Sequence, residues 1–175
     1  MKELTQIARK TLESQFENGS FEPEKRLKDK YCGKCACFVT LTKDGILRGC
    51  IGSLTPTREL WKDVRNNAIN AAFNDSRFPH LGKDELKKVK IEVSVLSKPR
   101  RLIYKDSKDL LDKIDNEMGI ILKKGFYNAT FLPQVWEQIP DKIDFLEHLS
   151  IKAGLPKNAW ENSEIWFYNV NIEKE

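Results

Sequence analysis

The sequence predicts an α+β fold with a mainly antiparallel sheet and flanking helices. Residues 89–97 alternate between apolar and polar side chains, as in a half-buried strand. Asp44-Gly45 lies between two apolar runs, which is a strong signal for a β-hairpin. Helical and strand patterns are interleaved along the chain. Because a hairpin joins antiparallel strands, a doubly wound parallel sheet is not expected.

The sequence also predicts where the helices, strands and loops lie. Apolar spacing near 3.6 residues predicts helices at 3–17, between Thr57 and Asn74, and at 107–114 and 141–153, and Pro133 opens another short helix. Strands are predicted at 35–41, 46–52, 89–97, 118–123, 129–132 and 166–172. Residues 20–33 and 74–80 are predicted as loops, because they are polar or charged and contain proline.

The register of the first hairpin has two solutions. A two-residue turn at Asp44-Gly45 would place Cys50 opposite Val39. A three-residue turn that ends in a glycine bulge would place Cys50 opposite Phe38, and we favour this turn because it separates Cys50 from the other thiols. A slip of one residue exchanges the two faces of a strand.

Composition limits the class of protein. The chain has 175 residues, which predicts a single domain over 1–175, with a smaller lobe formed by parts of 100–160. The net charge is +4 and basic residues alternate with acids, so nucleic-acid binding is not expected. The sequence contains no apolar run of bilayer length and no signal peptide, so we expect no membrane association, a cytoplasmic location and reduced thiols. No cofactor is predicted.

The segment 47–52 is the strongest candidate for a functional site, since it contains a cation, a thiol and two glycines within six residues. A period of two places Arg48 and Cys50 on one face of the strand. Gly49 and Gly52 weaken a strand and are typical of a bulge or of close approach to the backbone. Their N–H groups could add donors for a ligand.

Cys50 could act as a nucleophile, because a nearby cation such as Arg48 favours the thiolate. His80 is the better placed of the two histidines to accept its proton, whereas His148 is expected on a solvated helix face. Glu92 could serve as an acid or base in the same site. The alternatives are a buried structural cysteine and a carboxylate on a solvated strand face.

Arg48 and Arg77 together could bind an anionic ligand, since guanidinium groups suit carboxylate and phosphate. Asp75 could complete this ligand-binding set or could form a turn. The alternative for both arginines is an internal salt bridge with Asp75 or Glu92.

Three further cysteines, at positions 32, 35 and 37, do not form a convincing metal site. A structural zinc site usually contains a second pair of ligands, and none follows here. No metal is therefore predicted.

Six motifs together resemble the AMMECR-type domain family, from about Cys37 to Trp160. They are Phe38-Val39-Thr40-Leu41 followed by Leu47-Arg48-Gly49-Cys50-Ile51-Gly52, then Asp75-x-Arg77-Phe78-Pro79, Glu92-Val93-Ser94-Val95-Leu96, Phe131-Leu132-Pro133-Gln134-Val135 and Lys152-Ala153-Gly154-Leu155-Pro156. The resemblance implies an α+β domain of two lobes, with the signature residues around a cleft between the lobes.

The resemblance also implies partners but no assigned activity. In prokaryotes this family is associated with a Memo-like protein and a radical S-adenosylmethionine enzyme, as protein A of the AmmeMemoRadiSam system. The sequence favours an enzyme or enzyme component that binds a small anionic substrate or a modified side chain around Arg48 and Cys50. The alternative is a non-catalytic protein–protein interaction module.

Overall fold

The computed structural model describes residues 3–175, which form two compact units. The first unit contains residues 3–96 together with Asn171–Glu175, and the second contains Ser97–Val170. The single domain predicted over 1–175 stays a prediction.

In the first unit, helices cover one face of an antiparallel sheet. The helices are α1 (Glu3–Phe16), α2 (Lys25–Lys30), α3 (Leu60–Phe73) and α4 (Lys83–Leu86), and the strands are β1 (Cys37–Lys43), β2 (Ile46–Gly52) and β3 (Val89–Leu96). The strand order is β2-β1-β3, so β2 is an edge strand. Val39 and Leu41 of β1 are buried in one core with residues of α1 and α3. We call this the helix-covered face, and we call the opposite face, which carries Thr40, the outer face.

The first hairpin has a two-residue turn, and the favoured three-residue turn is wrong. Asp44 and Gly45 both have positive φ, as a type I′ turn requires, and Lys43 pairs with Ile46. The bulge lies further along, because Thr42 pairs with Leu47 while Leu41 pairs with Gly49.

This bulge sets the faces of β2. Arg48 is the extra residue, and every later residue of β2 is shifted by one position. Cys50 therefore pairs with Thr40 instead of Val39 or Phe38. It lies on the outer face, because Thr40 alternates with the buried Val39 and Leu41.

The glycines of β2 allow unusually close packing. A Cβ atom on Gly49 would lie 2.1 Å from the carbonyl oxygen of Ala71 in α3. A Cβ atom on Gly52 would lie 2.3 Å from the ring of Phe38. The close approach that the sequence suggested is therefore made by the protein's own helix and aromatic ring.

The second unit contains further antiparallel strands and its own core. Its strands are β4 (Arg100–Arg101), β5 (Met118–Lys124), β6 (Tyr127–Phe131) and most of β7 (Glu164–Lys174). β5 pairs with both β6 and β7, and β4 pairs with β7. The helices are α5 (Ser107–Lys113), α6 (Lys142–Lys152) and two 3₁₀ helices, Pro133–Glu137 and Lys157–Asn162. The rings of Trp136 and Phe145 stack in this core at 3.6 Å.

The α+β class, the antiparallel sheet and the flanking helices are confirmed. The sequence analysis missed four short elements, which are α2, α4, β4 and the 3₁₀ helix Lys157–Asn162. The predicted loop at 20–33 is wrong where α2 forms, because Leu27 is buried in the first core and anchors this helix of six residues.

Candidate functional site

Arg48 is held on the helix-covered face and is only 8% exposed. Its Nε and Nη2 donate to the two carboxylate oxygens of Glu85 in α4, at 3.2 and 3.0 Å. Lys43, which alternates with the buried Leu41, donates to the same carboxylate at 2.9 Å. The prediction that Arg48 and Cys50 share a face is therefore wrong, because the bulge turns them to opposite sides of the sheet.

Glu85 joins α4 to the sheet. The hydrogen bond from Arg48 is the largest influence on this carboxyl group, followed by that from Lys43, and together they lower its pKa to about 2 from an ordinary value of 4.5. Nη1 of Arg48 is buried without a hydrogen-bond partner among the described residues. Arg48 therefore forms an internal salt bridge, but its partner is Glu85 and not the Asp75 or Glu92 that the sequence suggested.

We expect this pair to make stability depend on pH. Because the folded-state pKa of Glu85 is depressed, its contribution is full above about pH 4.5 and is lost as the pH falls towards 2. The Glu85 side chain is 26% exposed, so the loss should be about 1–2 kcal/mol after solvent screening. Urea unfolding of the wild type and of Glu85→Gln at pH 6 and pH 3 measures it. The difference between the two proteins should shrink at pH 3, and an equal difference at both values would contradict the assignment.

Cys50 is held by its backbone at the edge of the sheet. Its N–H donates to Oδ2 of Asp75 at 2.9 Å, and its carbonyl oxygen accepts from Nη2 of Arg77 at 3.1 Å. An edge strand leaves such groups without a neighbouring strand. The loop after α3 therefore takes the place of that strand at Cys50.

Asp75 and Arg77 form a two-pronged ion pair. Nε and Nη2 of Arg77 donate to the two oxygens of Asp75 at 2.9 and 2.7 Å. The hydrogen bond from Arg77 is the largest influence that holds the pKa of Asp75 well below its usual range. Asp75 is 5% exposed, whereas the Arg77 side chain is 55% exposed, and its Nη1 makes no hydrogen bond within residues 3–175. The salt-bridge alternative therefore holds for Arg77, but the N–H groups of its Nη1 remain available to donate to a ligand.

The thiol of Cys50 belongs to a polar row across three strands. Thr40 pairs with Cys50 on one side and with Glu92 on the other. The Thr40 hydroxyl donates to Sγ of Cys50 at 3.3 Å. Glu92 accepts from Ser94 at 3.3 Å and from Lys174 at 2.8 Å. The structure therefore brings two of the predicted site residues, with the Cys50 thiol and the Glu92 carboxylate, to one face of the sheet.

His80 is placed differently from the other predicted site residues. Its ring packs edge-on against Phe73 at 6.1 Å, and its carbonyl oxygen accepts from Arg48 at 3.3 Å. Within residues 3–175 the hydrogen bond to the Cys50 thiol comes from Thr40 and not from His80. The role of proton acceptor stays a prediction for His80.

Sequence reasoning missed a buried polar cluster around Asp63. This residue of α3 is 2% exposed and accepts from the Ser53 hydroxyl at 2.7 Å and from Asn67 at 3.1 Å. It also accepts from the N–H and the thiol of Cys37, at 3.3 and 3.4 Å. Burial, with a smaller effect of Asp63, raises the pKa of the Cys37 thiol. The four-residue spacing of Asp63 and Asn67 was the available signal, but their partners are distant in sequence.

Among residues 3–175, no group of three or more His, Cys, Asp and Glu side chains is placed to hold a metal ion. In the same part of the chain, every helix is too short or too polar to cross a bilayer.

Comparison with known proteins gives matches over nearly the whole chain. The AMMECR1 family model matches residues 5–173. Protein NEQ441 of Nanoarchaeum equitans is 40% identical, over 98% of each chain. Protein MK0488 of Methanopyrus kandleri is 37% identical, over 98% of this chain and 86% of its own. The crystal structure of the uncharacterized protein PH0010 from Pyrococcus horikoshii covers 98% of this chain and 89% of its own, with a TM-score of 0.82 and 32% identity. The sequence, the family model and the fold agree, and this chain belongs to the AMMECR1 family.

Proposed function

We propose that the protein is a cytoplasmic enzyme or enzyme component that binds a small anionic substrate, or a modified side chain, beside Cys50. The proposal rests on one observation, which is that the backbone of Cys50 is fixed while its thiol stays partly exposed. Its N–H and carbonyl are both fixed by the Asp75–Arg77 pair, while its thiol is partly exposed and, among residues 3–175, accepts a hydrogen bond from Thr40 alone. A reacting group needs this kind of fixed position.

Arg77 is the group that would meet an anion. Its Nη2 lies 3.1 Å from the Cys50 carbonyl oxygen, so its free Nη1 lies close to Cys50 as well. Guanidinium nitrogens donate well to carboxylate and phosphate oxygens. Arg48 is excluded from this role because it lies on the other face and is held by Glu85.

The polar row supplies the chemistry of the proposed site. Thr40 orients the sulfur of Cys50, and Glu92 adds a carboxylate on the far side of Thr40. A ligand over this row would meet a thiol, a hydroxyl and a carboxylate. These groups suit proton transfer or formation of a bond to sulfur.

The proposed partners are a Memo-like protein and a radical S-adenosylmethionine enzyme, as the family resemblance implies. A second candidate function, a non-catalytic protein–protein interaction module, is favoured by exposed apolar side chains at the end of the hairpin. Ile46 is 73% exposed and Leu47 is 40% exposed, both on the edge strand β2.

Two variants separate the enzyme from the module. In cells that carry only Cys50→Ala, we expect a substrate to accumulate while binding to the two proposed partners is unchanged, because the thiol acts on the ligand. Metabolite profiling and pull-down of the purified partners measure the two effects. Ile46→Ser serves as the control and should leave the metabolites unchanged. Unchanged metabolites in Cys50→Ala, with loss of partner binding in Ile46→Ser, would support the module instead.

A further inference from the structure

A cavity of about 240 Å³ lies in the first unit, between α1 and the α4 segment. Phe16 and the buried Leu86 provide its apolar lining. The Phe16 ring also packs edge-on against the ring of Phe73, at 5.8 Å between the ring centroids. This volume is below the range of about 300–1,000 Å³ that is usual for pockets of drug-sized ligands, and it suits a smaller molecule of amino-acid size.

The two sides of the cavity carry opposite charges. Arg9 of α1 lines the cavity, but its charge is balanced by an ion pair with Glu175. The other charged lining residues are Glu13 of α1 and Glu17, which follows α1, on one side, and Lys83 of α4 and Lys87, which follows α4, on the other. Within residues 3–175, none of these four side chains forms an ion pair, so the carboxylates and the ammonium groups do not neutralise each other across the gap.

The sides are fixed by contacts within the protein. Arg9 of α1 donates to the carbonyl oxygens of Leu86 and Val89, at 2.6 and 2.7 Å, and also pairs with Glu175. On the other side, Glu85 of α4 is held by Arg48 and Lys43. The signature arginine of β2 therefore positions one wall of the cavity, and a wall that is already ordered costs less entropy on binding.

We propose that this cavity binds a small zwitterion with an apolar body, namely a free α-amino acid with an apolar side chain. Its ammonium group would lie towards Glu13 and Glu17, its carboxylate towards Lys83 and Lys87, and its side chain against Phe16 and Leu86. A ligand with one charge would leave one side of the cavity unpaired. This site is separate from the proposed chemistry at Cys50 and does not depend on it.

Calorimetric titration of the full chain with L-phenylalanine tests the proposal. We expect saturable binding with a dissociation constant in the millimolar range, because the ligand is small and its ion pairs are exposed to water. 2-Phenylethylamine lacks the carboxylate and 3-phenylpropionate lacks the ammonium group. Each should bind about fivefold more weakly, the usual upper limit for an exposed ion pair.

Single variants test the two walls. Glu13→Gln and Lys87→Met should each weaken L-phenylalanine binding by about threefold, whereas Lys88→Met, which changes an exposed lysine outside the cavity, should not. All three positions are exposed, so the variants should fold as the wild type does. Absence of saturable binding, equal binding of the three ligands, or equal weakening by Lys88→Met would overturn the proposal.

Discussion

Gly49→Ala should be among the most damaging single-methyl additions to this protein. The new Cβ atom would lie 2.1 Å from the carbonyl oxygen of Ala71 and 3.1 Å from its carbonyl carbon. Both are backbone atoms of α3, so no side chain can rotate away and the helix itself must move. We expect a loss of about 3 kcal/mol or more in the free energy of unfolding, at the upper end of the range for overpacking.

Chemical denaturation measures this loss, and Gly82→Ala is the matched control. Gly82 has a φ of −83°, and a Cβ atom there would meet nothing within 4 Å. Because Gly82 is the N-cap of α4, where alanine is less favourable than glycine, its replacement by alanine should cost no more than about 1 kcal/mol. If Gly49→Ala were as mild as this control, the close packing of α3 on β2 would be wrong.

Asp75→Asn should destabilise the protein and release the backbone of Cys50. The carboxylate accepts hydrogen bonds from the Cys50 N–H and from Nε, Nη2 and the N–H of Arg77. An amide has one acceptor oxygen, and its NH₂ group would face a donor. We expect a loss of about 2–4 kcal/mol, because a buried charge-assisted network loses its acceptor.

The exposed Asp84 provides the control for this substitution. Asp84→Asn should change stability by less than about 0.5 kcal/mol. Amide hydrogen exchange adds a local measure, since the Cys50 N–H should exchange faster in Asp75→Asn than in Asp84→Asn. Equal exchange in the two variants would mean that Asp75 does not hold the edge strand.

The position of the first hairpin's turn could be predicted from sequence, but the length that we favoured was wrong, and the faces of β2 could not be predicted. Asp44-Gly45 is a local signal, because its positive φ values depend on the two residues themselves. The bulge at Arg48 depends on distant groups, since Glu85 holds the arginine and α3 packs on Gly49. A pattern of period two contains no information on either contact, so it placed Arg48 and Cys50 together.

Only part of the candidate site's geometry could be predicted, again because a local sequence pattern contains no information on distant contacts. Asp75 and Arg77 are two residues apart, so their ion pair was among the alternatives considered. Glu85 was missed because α4 has four residues and no helical periodicity. Asp63 was missed because its partners Ser53 and Cys37 precede it by 10 and 26 residues. Short elements and distant partners leave no local signal.

The rate of Cys50 alkylation by iodoacetate relative to iodoacetamide tests the central claim most directly. Cys32→Ser and Cys35→Ser remove the other accessible thiols, and Cys37 is buried. We predict that the folded protein favours the anionic reagent more than the unfolded chain does, and that Arg77→Gln removes this preference. A Cys50 thiol that reacts with neither reagent until the protein unfolds, or a preference that persists in Arg77→Gln, would contradict a thiol presented beside an anion-binding guanidinium.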